Sequence, residues 1–164
     1  EIQSFFEKSF LNRFLGGVDI FYDMLLALKN QNMEIFEKKL QDILLTKISY
    51  HDIGKEEKYY HNLVLGMMLS MSREYEIYSN QESGYGRYDI SIEPKEKDKI
   101  AFILEFKLAK SEEELEKKAK EALLQIEEKR YDVGIQKRGK QKIVKLGIAF
   151  CGKKVRVYQQ DRLK

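Results

Sequence analysis

Glu105 and Lys107 stand two residues apart inside Ile100-Ala-Phe-Ile-Leu-Glu-Phe-Lys107, the most apolar strand-like run of this 164-residue chain. The Glu-x-Lys pattern alone carries no information. It occurs six times, starting at Glu37, Glu56, Glu93, Glu105, Glu116 and Glu127. Five of these fall in polar helix or turn contexts where the charges are expected to be solvated. The sixth interrupts a segment that reads as a central strand buried on both faces. Charges there are costly unless paired, ligated or opened to a cleft. Two apart on a strand, they project from one face. Asp89 lies on the preceding alternating segment, and the short turn at 94–99 places Glu105 roughly opposite it on an antiparallel neighbour. Two carboxylates and an ammonium so gathered suit metal-assisted phosphodiester hydrolysis. Hard oxygens would hold Mg²⁺ or Mn²⁺, the ion would polarise the phosphate and activate a water, and Lys107 would orient that water and offset developing charge. The same three residues could instead form a buried ion-pair network that fixes strand register.

The elements that must position them follow from periodicity. Apolar stripes at helical spacing run through Phe5, Phe6, Phe10, Phe14 and Leu15, through Ile20, Phe21, Met24, Leu25 and Leu28, and through Ile35, Phe36, Leu40, Ile43, Leu44 and Ile48. His51-Asp52-Ile53-Gly54 reads as a connection. A largely buried helix is expected over 55–74 and a strand over 75–79, followed by a loop over 80–86 that contains Gly84 and Gly86. Residues 87–93 alternate, with Tyr88, Ile90 and Ile92 against Asp89, Ser91 and Glu93, as a half-buried strand does. Ser111 and Glu114 have the form of a capping box that opens a helix to about residue 130. Strands are expected over 143–150 and 154–158. Cys151 reads as a small buried residue of the fourth core strand.

Bulk properties narrow the class. The sequence is 43% hydrophobic and 35% charged, with one proline and one cysteine. That suits a globular protein with no internal disulfide, for which a cytoplasmic setting is the natural reading. No apolar stretch reaches the roughly 20 residues needed to span a bilayer. Net charge is +3, but residues 137–164 hold ten Lys or Arg against the single Asp161, net +9, which leaves net −6 upstream. A basic segment beside acids fits a polyphosphate substrate and equally fits a solvated face.

Asp89, fifteen residues, then Glu105-Phe106-Lys107, set in α-β-β-β-α-β order, resembles the PD-(D/E)XK nuclease superfamily. More narrowly, it resembles a bacterial family in which this nuclease domain ends a longer protein with an AAA-ATPase-like N-terminal domain. The stretches 57–61, 79–89, 103–107, 122–131 and 147–153 carry the likeness. It implies an α/β, restriction-endonuclease-like αβββαβ core over 55–164, with a mixed central sheet flanked by helices. Residues 1–54 would be a helical bridge from an upstream domain, with oligomerisation through these helices possible. The resemblance further implies that Asp89, Glu105 and the Phe106 carbonyl bind metal, with Glu57 as an additional acid. Lys107 would act on the attacking water. Gln125 and Tyr131 are similar to the Gln-x-x-x-Tyr helix motif of RecB-like nucleases, at longer spacing. Tyr88 replaces the usual proline before the first Asp. His61, one helical turn after Glu57, and Arg87 are candidates for contacting phosphate, although His61 reads equally as a structural histidine and Arg87 as a partner of Glu82.

The expected activity is therefore metal-dependent hydrolysis of nucleic acid, DNA before RNA. Two other readings stand beside it. One is a nuclease-fold module that binds without cutting. The other is a protein whose main functional element is a docking surface on the N-terminal helices.

Overall fold

The computed structural model describes residues 18–49 and 55–160. The first expected stripe, Phe5 to Leu15, and the connection at 51–54 lie outside them. Three helices come first: α1 (Val18–Lys29), α2 (Met33–Lys47) and α3 (Glu57–Met68). Asn32 caps α2, accepting from the Ile35 amide at 3.2 Å. A five-stranded sheet follows, built from β1 (Tyr75–Ser79), β4 (Ile90–Pro94), β5 (Ala101–Leu108), β6 (Ile143–Cys151) and β7 (Lys154–Gln159), adjacent in that order. A two-stranded hairpin, β2 (Glu82–Ser83) with β3 (Gly86–Arg87), sits between β1 and β4. Helices α4 (Leu115–Glu128) and α5 (Asp132–Lys137) link β5 to β6. Only β5 and β6 run parallel, as the long helical crossover between them requires; the other neighbours are antiparallel. The sheet is mixed, as expected.

Helices cover both faces. Phe102, Leu104 and Phe106 of β5 join Ile90, Ile92, Ile148 and Phe150 in one core with Phe21, Met24, Phe36, Leu40, Tyr60 and Val64 from α1 to α3. Ala101 and Ile103 face the other way, onto Leu123 and Ile126 of α4 and Ile135 of α5. The N-terminal helices are thus part of the same core as the sheet. Their side chains also reach the outer strand. The Gln41 Oε1 accepts from the Val155 amide at 3.0 Å, and the Glu37 carboxylate from the Val157 amide at 2.8 Å.

Four local expectations change. The alternation over 87–93 does not form one strand. Arg87 ends the hairpin and the chain turns at Tyr88-Asp89 before β4 begins. Ile90 and Ile92 therefore face α3, whereas Tyr88 packs with Ile103 and Tyr131 on the opposite side. Glu93, expected to be solvated in a turn, is only 1% exposed. It stays charged-compatible because Arg138 grips both its oxygens, at 2.9 and 2.6 Å, and the Ser91 hydroxyl donates to it at 2.9 Å. The capping box is altered as well. Glu114 reaches back to the Lys110 amide at 3.1 Å, and Ser111 makes no side-chain cap. Cys151 is half-buried at the end of β6, packed at the margin of a small cluster of Ala109, Leu115, Ala119 and Ala149 and lining an open cleft with Tyr60 and Phe150. Among the described residues no helix is long and apolar enough to cross a membrane.

Candidate active site

The turn between β4 and β5 sets the central register. Ile90 pairs with Leu104, and Ile92 with Phe102. Continued by one residue, that register sets Asp89 against Glu105, as the turn symmetry predicted. The contacts follow. The Phe106 amide donates to Asp89 Oδ2 at 2.8 Å, and the Asp89 amide to Glu105 Oε2 at 3.3 Å. Because Asp89 occupies the kink rather than a strand, its carboxylate sits at the sheet end where both faces meet. His61 from α3 approaches it from one side, with Nδ1 3.6 Å from Oδ1. The other imidazole nitrogen, Nε2, is fixed 2.8 Å from the Ser79 hydroxyl, and Phe106 meets the ring edge-on. His61 is 7% exposed.

From the other face comes α4. Gly147 of β6 lies beside Glu105 in the parallel register. A Cβ on Gly147 would fall 2.0 Å from the Ala119 carbonyl oxygen and 2.6 Å from the Leu123 nitrogen. The missing side chain thus lets the helix backbone rest directly on the sheet and lowers Gln125 to the carboxylate. Gln125 then bridges the two β5 residues. Lys107 Nζ donates to its Oε1 at 2.6 Å, and its Nε2 donates to Glu105 Oε1 and, at 3.2 Å, to the Tyr131 hydroxyl.

The longer Gln125-to-Tyr131 spacing has a geometric cause. The helix closes with Arg130 in the left-handed region, φ 53°, while the Arg130 amide bonds the Glu127 carbonyl and the Tyr131 amide the Ile126 carbonyl. This Schellman-type closure turns Tyr131 back beneath Gln125, where it is 2% exposed. Tyr131 therefore meets the site from below, through the glutamine.

Electrostatically the acids are in tension. Glu105 is 4% exposed, and burial first, then the Asp89 charge, pushes its carboxyl up to about 8. Burial likewise holds the Asp89 carboxyl above its ordinary range, against the pull of the Phe106 amide, His61 and Lys107. Glu57 opens α3 and is largely exposed, yet desolvation and then Asp89 raise it too. Among the described residues Lys107 makes no ion pair; its ammonium donates to the neutral Gln125. No direct Lys107–carboxylate ion pair among these residues closes the cluster; the Lys107 charge acts on Asp89, Glu105 and Glu57 at longer range, pulling each carboxyl down against burial.

A model of the PD-(D/E)XK nuclease superfamily matches residues 55–160. The chain belongs to that superfamily. No curated protein matches it. The observed order of α3, β1, β4, β5, α4 and β6 is the superfamily's αβββαβ core, with the small hairpin inserted before β4 and β7 added beyond β6. Nuclease folds of this class typically employ divalent metals, and the donor set suits a hard cation. Two adjoining carboxylates resist joint ionisation without one, and no cluster of three or more His, Cys, Asp or Glu ligands forms among the described residues. One or two carboxylates with remaining positions left to water is how Mg²⁺ is ordinarily held.

The structure thus brings Asp89, Glu105, Phe106, Lys107, Gln125, His61 and Tyr131 into one contact network, with Glu57 electrostatically linked to it. Arg87 stands apart as an exposed residue of the hairpin, opposite Glu82 in register. Ser79 and Gly147 entered the sequence reading only as the first residues of stretches that carry the likeness, with no role of their own, and the short helix α5 was not expected. Gly147 alone left a trace, as a glycine inside an otherwise apolar strand.

Proposed function

We propose that the chain is a divalent-metal-dependent nuclease that hydrolyses phosphodiester bonds in DNA, with Asp89, Glu105 and Lys107 as its reacting centre. The observation that carries this reading is that Asp89 and Glu105 adjoin at the end of the sheet with no direct ion pair to Lys107, whose ammonium donates to the neutral Gln125. Both acids, held above their ordinary range by burial, would gain from a cation, and the ammonium keeps further donors for a substrate. In this reading Asp89, Glu105 and the Phe106 carbonyl hold Mg²⁺ or Mn²⁺, with Glu57 at its margin. A cation there supplies Lewis-acid polarisation of the phosphate and a water of lowered pKa. Lys107 would orient an attacking water and meet the charge developing on the phosphate. Gln125 and Tyr131 are positioning residues, which hold Lys107 and Glu105 at fixed separation; His61 does the same for Asp89. A cleft of about 420 Å³, lined by Lys55, Leu108, Lys110 and Gly152, opens beside the end of β5 and gives a backbone two cations to follow. An upstream AAA-ATPase-like domain, implied by the sequence resemblance, would lie on the N-terminal side of α1.

The test is cleavage of labelled DNA and RNA with Mn²⁺. Asp89→Ala and Lys107→Ala should each abolish cleavage while the circular dichroism spectrum is unchanged. Cleavage retained in both variants overturns the assignment. Binding of nucleic acid with no cleavage by the wild-type chain under any divalent ion would favour a non-cutting module.

A further inference from the structure

The hairpin β2–β3 is pinned to the end of α4 with unusual closeness. Ser83 donates from its hydroxyl to the Tyr131 carbonyl at 2.6 Å and accepts from the Gly134 amide at 2.8 Å. Gly84 has φ 59°, and a Cβ there would lie 2.1 Å from the Lys129 carbonyl oxygen and 2.3 Å from that of Arg130. The Tyr85 amide donates to the Lys129 carbonyl at 2.7 Å. A Cβ on Gly86 would lie 3.3 Å from the Tyr131 hydroxyl, the group that holds Gln125. The hairpin tip is therefore held firmly, with Tyr131 and Gln125 between it and Glu105.

On this firmly held tip Tyr85 is 72% exposed, the highest value among the described large hydrophobic side chains. Its backbone amide is held by Lys129, while most of its side chain is left to solvent. Near it in the fold are Arg87, two residues on and opposite Glu82 in register, and Lys129 and Arg130, whose carbonyls lie against Tyr85 and Gly84. All three cations are exposed and none is in an ion pair among the described residues. Arg130 is notable because its left-handed backbone favours glycine. A long cation stands where the cheapest residue for the backbone would have no side chain. An exposed aromatic ring on a firm turn with three unpaired cations close by is the chemistry that takes an unpaired base and its phosphates, since stacking is open to any base and cations track the backbone.

We infer that Tyr85, with Arg87, Lys129 and Arg130, forms a stacking platform for an unpaired nucleotide next to the metal site, so that the substrate is nucleic acid with a single-stranded segment at the cut. This rests on the nuclease reading for its link to cutting, but the platform itself is measured by binding alone. The experiment uses the full chain in EDTA, with fluorescence anisotropy of a short labelled oligothymidylate and of a blunt duplex of matching length. Tyr85→Ala should weaken the single strand roughly tenfold, Tyr85→Phe should restore it, and the duplex should change less than twofold. An oligonucleotide carrying a fluorescent adenine analogue should be quenched on binding the wild type and Tyr85→Phe, and not Tyr85→Ala. Unchanged single-strand binding in Tyr85→Ala, equal loss for duplex and single strand, or no rescue by Tyr85→Phe overturns the inference. Its failure differs from that of the nuclease reading. A wild type that binds through Tyr85 and cleaves nothing with Mn²⁺ defeats the latter only, and a wild type that cleaves with Tyr85→Ala binding normally defeats the former only.

Discussion

Glu105→Gln should make the metal-free protein more stable near neutral pH while removing its activity. Glu105 has its carboxyl pushed from 4.5 to about 8 by the fold. A raised acid contributes stability that is full below the unfolded value and is lost as pH rises toward the folded one, because the unfolded chain ionises first. At pH 7 the folded carboxyl must remain protonated across about 2.5 units, a cost of about 3 kcal/mol. Glutamine removes that cost, being neutral in both states. It also turns one contact into donor facing donor, since Gln125 Nε2 and the Asp89 amide both point at Glu105 oxygens, and this costs about 1 kcal/mol. The net gain is about 2 kcal/mol at pH 7, or roughly 4–8 °C in Tm for a chain of this size. At pH 4.5 the gain vanishes and the variant becomes the weaker by about 1 kcal/mol. Thermal unfolding in EDTA across this pH range measures the crossing, and added Mg²⁺ should stabilise only the wild type. A variant less stable at pH 7–8, or a difference independent of pH, would refute the reasoning. Glu105 would then be ionised and satisfied by the protein itself, and no cation would be needed to relieve it.

Two further outcomes are specific to the fold. Arg138→Ala leaves the Glu93 carboxylate buried with the Ser91 hydroxyl as its remaining side-chain donor; with the arginine itself partly exposed, the loss should be about 2–3 kcal/mol in urea unfolding, and Glu93→Gln added to it should recover part. Gly147→Val drives a side chain into the Ala119 carbonyl, so α4 must lift from the sheet; a loss of about 3 kcal/mol or more should accompany a fall in cleavage rate, and normal rates with normal stability would show that Gln125 needs no such close approach.

The sheet was legible because its rules are local. The continuous apolar run of β5 and the six-residue turn before it were enough to set Asp89 across from Glu105. The kink at Tyr88-Asp89 was not legible, since alternation continues unbroken through a bend that reverses its phase. Nothing near Arg138 in the sequence points to Glu93, forty-five residues away, and Glu93 itself looked like any turn glutamate. The role of Gln125 was implied by resemblance alone. Its physical reason, a helix seated on Gly147, depends on which residue of β6 falls beside Glu105, and that register exists only once the crossover is folded.

The contacts from α2 to β7 have a consequence for what counts as the working unit. An outermost strand exposes a row of unsatisfied amides, which invites another chain to add a strand. Here Gln41 and Glu37 occupy the Val155 and Val157 amides, so a helix closes the sheet where another strand could have joined. The superfamily match starts at residue 55, yet a fragment cut there would bare this template together with the apolar surface now beneath Phe36, Leu40 and Leu44. Such a fragment would retain every proposed catalytic group and be prone to self-association. Helices α1 and α2 thus belong to the same packed core as the residues that the superfamily model matches.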